Sequence, residues 1–176
     1  MALGILDTLR AAGIAGAPWP AIQSAFATAR WPGRLELINV GPGEPDVLID
    51  GAHNPHGAAA LAAALDELRP ELSPGRPTLL IGVVREKDLA GVIAPLRGST
   101  ALADASIIAT SVPDTPRSND PAFVAQSWGP NAQTIEDTDE ALAAALDNAR
   151  REGGPLVIAG SLYLVGHVRD KLVGRR

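Results

Sequence analysis

The sequence contains no cysteine. A disulfide framework, a thiolate zinc site and a cysteine nucleophile are excluded together. There are only three tryptophans, two phenylalanines and one tyrosine, so a core must rest on Ala, Val, Leu and Ile. No apolar run approaches the roughly 18 residues that a membrane span requires, and Met1-Ala2-Leu3 lacks the basic start of a secretory leader. Neither a membrane segment nor a signal peptide is expected. Basic residues are the minority, 15 against 20 acidic for a net charge of −5, with no basic block except Arg175-Arg176. A nucleic-acid groove has no electrostatic footprint in such a chain. Phosphate loops are missing too. Neither Gly-x-x-x-x-Gly-Lys-Ser/Thr nor Gly-x-Gly-x-x-Gly occurs, so nothing cradles a triphosphate or dinucleotide in the usual way.

What is present suits one domain or one and a half. At 176 residues the chain can bury a sizeable core without a staple. The 18 glycines and 15 prolines stay below the roughly 25–30% typical of low-complexity chains. In residues 1–30, Leu3, Leu6, Leu9 and Ala12 recur at helical spacing, and Ile22, Ala25, Phe26 and Ala29 repeat the pattern after Trp19-Pro20. Two helices without a strand form no core of their own, so they read as the tail of a preceding unit or a packing arm.

From Trp31 onward strands and helices alternate. Strands are expected over 35–40, 47–49, 78–84 and 105–110, with a brief edge strand at 133–135 and a last strand at 156–159. Helices are expected over 55–68, 89–96, 121–127, 139–151 (capped by Thr138) and 162–173. Apolar strand runs between helices predict an α/β fold: three layers, Rossmann-like, a mostly parallel sheet with helices on both faces. Ligands of such sheets bind outside the carboxyl ends of the strands.

Three stretches stand at those ends. Asp50-Gly51-Ala52-His53-Asn54-Pro55-His56 follows the second strand. Asn54 can cap the next helix with Pro55 in its first turn, which leaves His53 beside a helix N-terminus that favours anions. A carboxylate at a strand end can accept ribose hydroxyls. The alternatives are a tight turn in which Asp50 and His53 satisfy local backbone, and a metal triad of Asp50, His53 and His56. Gly160-Ser161-Leu162-Tyr163 follows the last strand, where Ser161 either caps a helix or meets an anion. Gly82 to Asp88 ends in charges that form either a solvated loop or a cleft rim. His167, inside the last helix, reads as structural.

In order, Trp31-Pro32-Gly33-Arg34-Leu35-Glu36, Asp50-Gly51-Ala52-His53-Asn54-Pro55 and Gly160-Ser161-Leu162-Tyr163 resemble the C-terminal domain of bacterial folylpolyglutamate and dihydrofolate synthases, of the Mur ligase superfamily. The likeness extends through Gly82 to Asp88 and the Arg117-Ser118 loop. It implies that residues 1–30 are the last helices of a central ATPase domain and that residues 31–176 are the glutamate ligase domain. The implied reaction joins L-glutamate to a pteroate or folate carboxylate through an acyl phosphate, using ATP and magnesium. Resemblance puts Arg34 and Asp50 on ATP, with Asp50 near the ribose, and His53 and Ser161 around the incoming glutamate. The magnesium ligands belong to the missing ATPase domain, so no metal residue is expected here and the chain alone should be inactive. A monomer in the cytoplasm is expected, with no nucleic-acid or membrane partner. Two other readings stand beside it: a nucleotide- or anion-binding domain without chemistry, and a metal-dependent hydrolase.

Overall fold

The strands that carry the sheet are apolar almost throughout, and the reason is burial on both faces. In this computed structural model, which describes residues 2–14, 16–29 and 31–174, β2 (Val47–Asp50), β3 (Thr78–Ile81), β4 (Ser106–Ala109) and β6 (Leu156–Ala159) form the middle of one six-stranded sheet. The terminal Arg175-Arg176 lies outside the described residues. β1 (Glu36–Ile38) and β5 (Gln133–Thr134) stand at the edges, in the order β1-β2-β6-β3-β4-β5. All pairings are parallel except β1 with β2.

Alternate residues feed two cores. Leu48, Leu79, Ile81, Ile107 and Val157 pack with α3 (Pro55–Leu68), α4 (Leu89–Gly98) and α5 (Pro121–Trp128). Val47, Ile49, Leu80, Ile108, Leu156 and Ile158 pack with α6 (Thr138–Glu152) and α7 (Leu162–Val173). The result is the expected three-layer α/β arrangement.

Most boundaries shift by a residue or two, and three of the shifts have a clear local cause. β1 begins at Glu36, because Leu35 lies at φ +42 and cannot extend a strand. β3 stops at Ile81, and Val84 instead bridges to Ser118. The cap of α6 is Asp137, whose Oδ1 accepts both the Asp139 and Glu140 amides at 2.9 Å, while Thr138 Oγ1 donates to Ser111 O.

The chain divides into two units, Met1–Pro32 and Gly33–Arg176. The first holds α1 (Ala2–Ala11) and α2 (Trp19–Thr28), with Ile22 buried and Ile5, Trp19 and Phe26 about half exposed. The sheet and the other five helices form the second.

Candidate functional site

Strand register levels the carboxyl ends. Asp50, Ala159, Ile81 and Ala109 lie opposite one another across β2, β6, β3 and β4. From β2 to β3, β4 and β5 the chain crosses by α3, α4 and α5 on one face, and it returns to β6 by α6 on the other. The loops after β2 and β3 therefore lead to one face, and the loop after β6, between them, leads to the opposite one. Diverging loops open a crevice at the end of β6. Gly160, just after β6, lies at φ +106, and a Cβ there would stand 2.5 Å from Gly82 O. Only glycine lets the two strand ends come so close.

A cleft of about 190 Å³ occupies this crevice, lined by His53, Glu86, Lys87, Arg117, Ser161 and Tyr163 among others. His53 stands one residue before Asn54, whose Oδ1 caps α3 by accepting the Gly57 amide at 2.8 Å. Its Nδ1 lies 2.7 Å from Gly51 O. A carbonyl only accepts, so Nδ1 carries a hydrogen toward Gly51 O, and in the neutral tautomer with that hydrogen Nε2 is the acceptor. Ser161 is buried and caps α7, its Oγ accepting the Tyr163 amide at 3.2 Å. Its hydroxyl hydrogen remains to donate.

Two loops are joined over the cleft. Val84 and Ser118 form an antiparallel bridge, the Arg85 amide donates to Arg117 O at 2.8 Å, and the Asn119 amide donates to Val83 O at 2.9 Å. This pairing brings Lys87 and Arg117 into one wall, where an Arg117 Nη2 donates to the Tyr163 hydroxyl at 3.4 Å. The wall carries two cations against one carboxylate, Glu86. Of the alternatives for residues 82–88, the cleft rim is the observed one. Lys87, Arg117 and Tyr163 were not singled out as site residues by the sequence. For Lys87 and Arg117 the signal lay in topology, since the loops after the parallel neighbours β3 and β4 must meet at the same edge.

Asp50 and Arg34 lie elsewhere. Asp50 Oδ2 accepts the Leu35 amide at 2.7 Å and thus engages the turn before β1; Asp50 does not line the cleft. Arg34 is exposed and makes no hydrogen bond or ion pair among the described residues. The triad of Asp50, His53 and His56 is not assembled. His56 is exposed on the first turn of α3, and no group of three metal-ligating side chains converges among the described residues. His167 pairs with Asp139 at 2.7 Å on the surface of α6 and α7.

A larger depression of about 670 Å³ lies beside Ser118, near α5. Several of its polar groups serve the chain's own backbone. Arg85 Nε donates to Ser118 O, Ser118 Oγ joins Val112 N and Asn119 O, and Asp120 caps α5. The smaller cleft, with Lys87 free of such bonds, is the better candidate.

The family model described as Mur ligase, glutamate ligase domain, matches residues 33–162. The chain belongs to the Mur ligase family. The match begins at the first residue of the second unit and takes in every lining residue named above except Tyr163. A folylpolyglutamate synthase of Lacticaseibacillus casei is 35% identical over 161 residues, 89% of this chain and 34% of that protein. The structure of Escherichia coli FolC in complex with DHPP and ADP superposes with a TM-score of 0.79 at 28% identity, over 97% of this chain and 38% of that one. A bifunctional folylpolyglutamate synthase/dihydrofolate synthase with Mn, AMPPNP and L-glutamate bound gives 0.73 at 25% identity, over 90% and 36%. The chain thus spans about a third of the length of these Mur ligase relatives.

Proposed function

We propose that this chain is the C-terminal part of an ATP-dependent ligase that joins L-glutamate to a pteroate or folate carboxylate. The observation that carries the proposal is the cleft at the end of β6. L-Glutamate brings two carboxylates and an ammonium group. Lys87 and Arg117 supply two cations, Ser161 a hydroxyl donor, and His53 Nε2 an acceptor suited to the ammonium. Gly51 O holds Nδ1, which leaves Nε2 as the ring nitrogen available to the amino acid.

Arg34 and Asp50, on the other side of β2, are proposed for ATP, with the free oxygen of Asp50 toward the ribose. In this reading residues 1–30 close the preceding ATPase domain, which phosphorylates the acid. The glutamate amine then attacks the acyl phosphate and displaces phosphate through a tetrahedral intermediate. The role of this chain is to bind and orient the amine and to help exclude water on closure. The described residues offer no fit to a divalent ion, so magnesium is assigned to the ATPase domain and no step here depends on it. Among the described residues no helix is long and apolar enough to cross a membrane; the enzyme is proposed to be monomeric and cytoplasmic.

The test compares the chain alone with a complete ligase that contains it, each given ATP, magnesium, L-glutamate and dihydropteroate or a reduced folate. The complete enzyme should release phosphate only when both acid and L-glutamate are present, and the chain alone should match a no-protein control. Phosphate release indifferent to L-glutamate, or turnover by the chain alone, would contradict the proposal.

A further inference from the structure

The turn that opens the second unit is held more firmly than a surface turn requires. Gly33 and Leu35 both have positive φ, +71 and +42. For a bulky residue such as Leu35 this region is disfavoured, and it persists only where surrounding bonds impose it. Those bonds are present. The Gly33 amide donates to Glu36 Oε2 at 2.7 Å, and the Leu35 amide donates to Asp50 Oδ2 at 2.7 Å. The Gly51 amide donates to Gly33 O at 2.8 Å. Glu36 is itself gripped by Arg169 of α7, which donates from Nε and Nη2 to both carboxylate oxygens at 2.9–3.2 Å. Between the two pinned amides stands Arg34, exposed and without a partner among the described residues.

A strained turn fixed on both sides of one uncommitted cation suits presentation of that cation. We infer that Glu36 and Arg169 are positioning residues, which hold the Gly33–Leu35 turn so that Arg34 meets the anionic nucleotide beside Asp50. This rests on the proposal that Arg34 and Asp50 take ATP. Glu36 touches no substrate in this account; it acts through the Gly33 amide. Arg169 acts one bond further away, by fixing the Glu36 carboxylate. The bidentate grip matters because it sets both oxygens of Glu36 at once.

The experiment has two parts. In the complete ligase, Glu36→Ala and Arg169→Ala should each raise KM for ATP by about tenfold, the scale of one charged hydrogen bond, with KM for L-glutamate within about twofold. Glu36→Gln keeps an acceptor for the Gly33 amide and should recover most of the loss. In an Arg34→Ala background, Glu36→Ala should add nothing, because the group it positions is gone. Equal losses with and without Arg34, or parallel rises in both Michaelis constants, would overturn the inference. The second part needs no activity. In the 176-residue chain, amide hydrogen exchange at Gly33 and Leu35 should speed up in Glu36→Ala and in Arg169→Ala, with little change in Glu36→Gln; unchanged exchange would also overturn it. A wild-type ligase without glutamate-dependent turnover would sink the functional proposal, and the exchange data would still decide the positioning role.

Discussion

Three carboxylates make bonds that only their ionised forms make well. The guanidinium of Arg169 holds Glu36 below the ordinary carboxylate range, with the Gly33 amide adding to it and partial burial opposing. Asp66 is lowered first by the Ser99 hydroxyl, at 2.6 Å, and then by the Ala101 amide, at 2.8 Å. Asp139 is lowered first by Lys171 and then by His167. A carboxylate whose folded-state pKa lies below its unfolded value stabilises the fold fully above that unfolded value, about 4, and the contribution fades as pH falls through the folded one. Asp66 gives the clearest test because it fastens α3 to the Thr100–Leu102 turn after α4. Asp66→Asn should lose less stability than wild type between pH 7 and pH 3, as read by urea unfolding at each pH. Equal losses would mean that Asp66 titrates alike in both states.

At the scale of elements, one substitution should have opposite signs at two glycines. Gly160→Ala forces a Cβ to 2.5 Å from Gly82 O at φ +106, and should cost about 2 kcal/mol or more, roughly 4–8 °C in Tm for a domain of this size. Gly166 lies exposed inside α7 with nothing within 4 Å of an added Cβ, so Gly166→Ala should add about 0.5–1 kcal/mol. Thermal melts of the two variants check both signs. Losses at both positions would show that α7 is not as open as described. The same contrast shows what was legible in the sequence. Apolar runs such as Leu79-Leu80-Ile81 and Leu156-Val157-Ile158 announced buried parallel strands, because a strand covered on both faces has no polar side. The end of β3 was not legible. Val83 and Val84 continue the apolar run, yet Gly82 leaves the ladder and both valines are buried where the chain turns toward Ser118. Thr138 and Asp137 are both good caps by type, and only geometry shows the aspartate taking the two amides. His53 and Ser161 were found as stations because they follow strand ends. Lys87 and Arg117 required the pairing of two loops that are distant in sequence.

At the scale of the whole molecule, the second unit, Gly33–Arg176, carries a cleft and an anchored turn on either side of β2. The chain lacks a phosphate loop, and among its described residues it lacks a metal cluster. Such a division suits a domain that closes on a partner domain and completes its site only then. We propose that amino acid and nucleotide are met by different residues of this chain, His53 with Arg117 for the first and Asp50 with Arg34 for the second. The most direct test is steady-state kinetics of His53→Ala and Asp50→Ala in the complete ligase, with ATP and L-glutamate each varied. Loss of a hydrogen bond to a charged partner costs on the order of 1.5–3 kcal/mol, so His53→Ala should raise KM for L-glutamate roughly tenfold to over a hundredfold and leave that for ATP nearly unchanged. Asp50→Ala should do the reverse. If His53→Ala impairs both substrates equally, the segment from Asp50 to His53 acts as one structural piece, and the separation of the two sites is wrong.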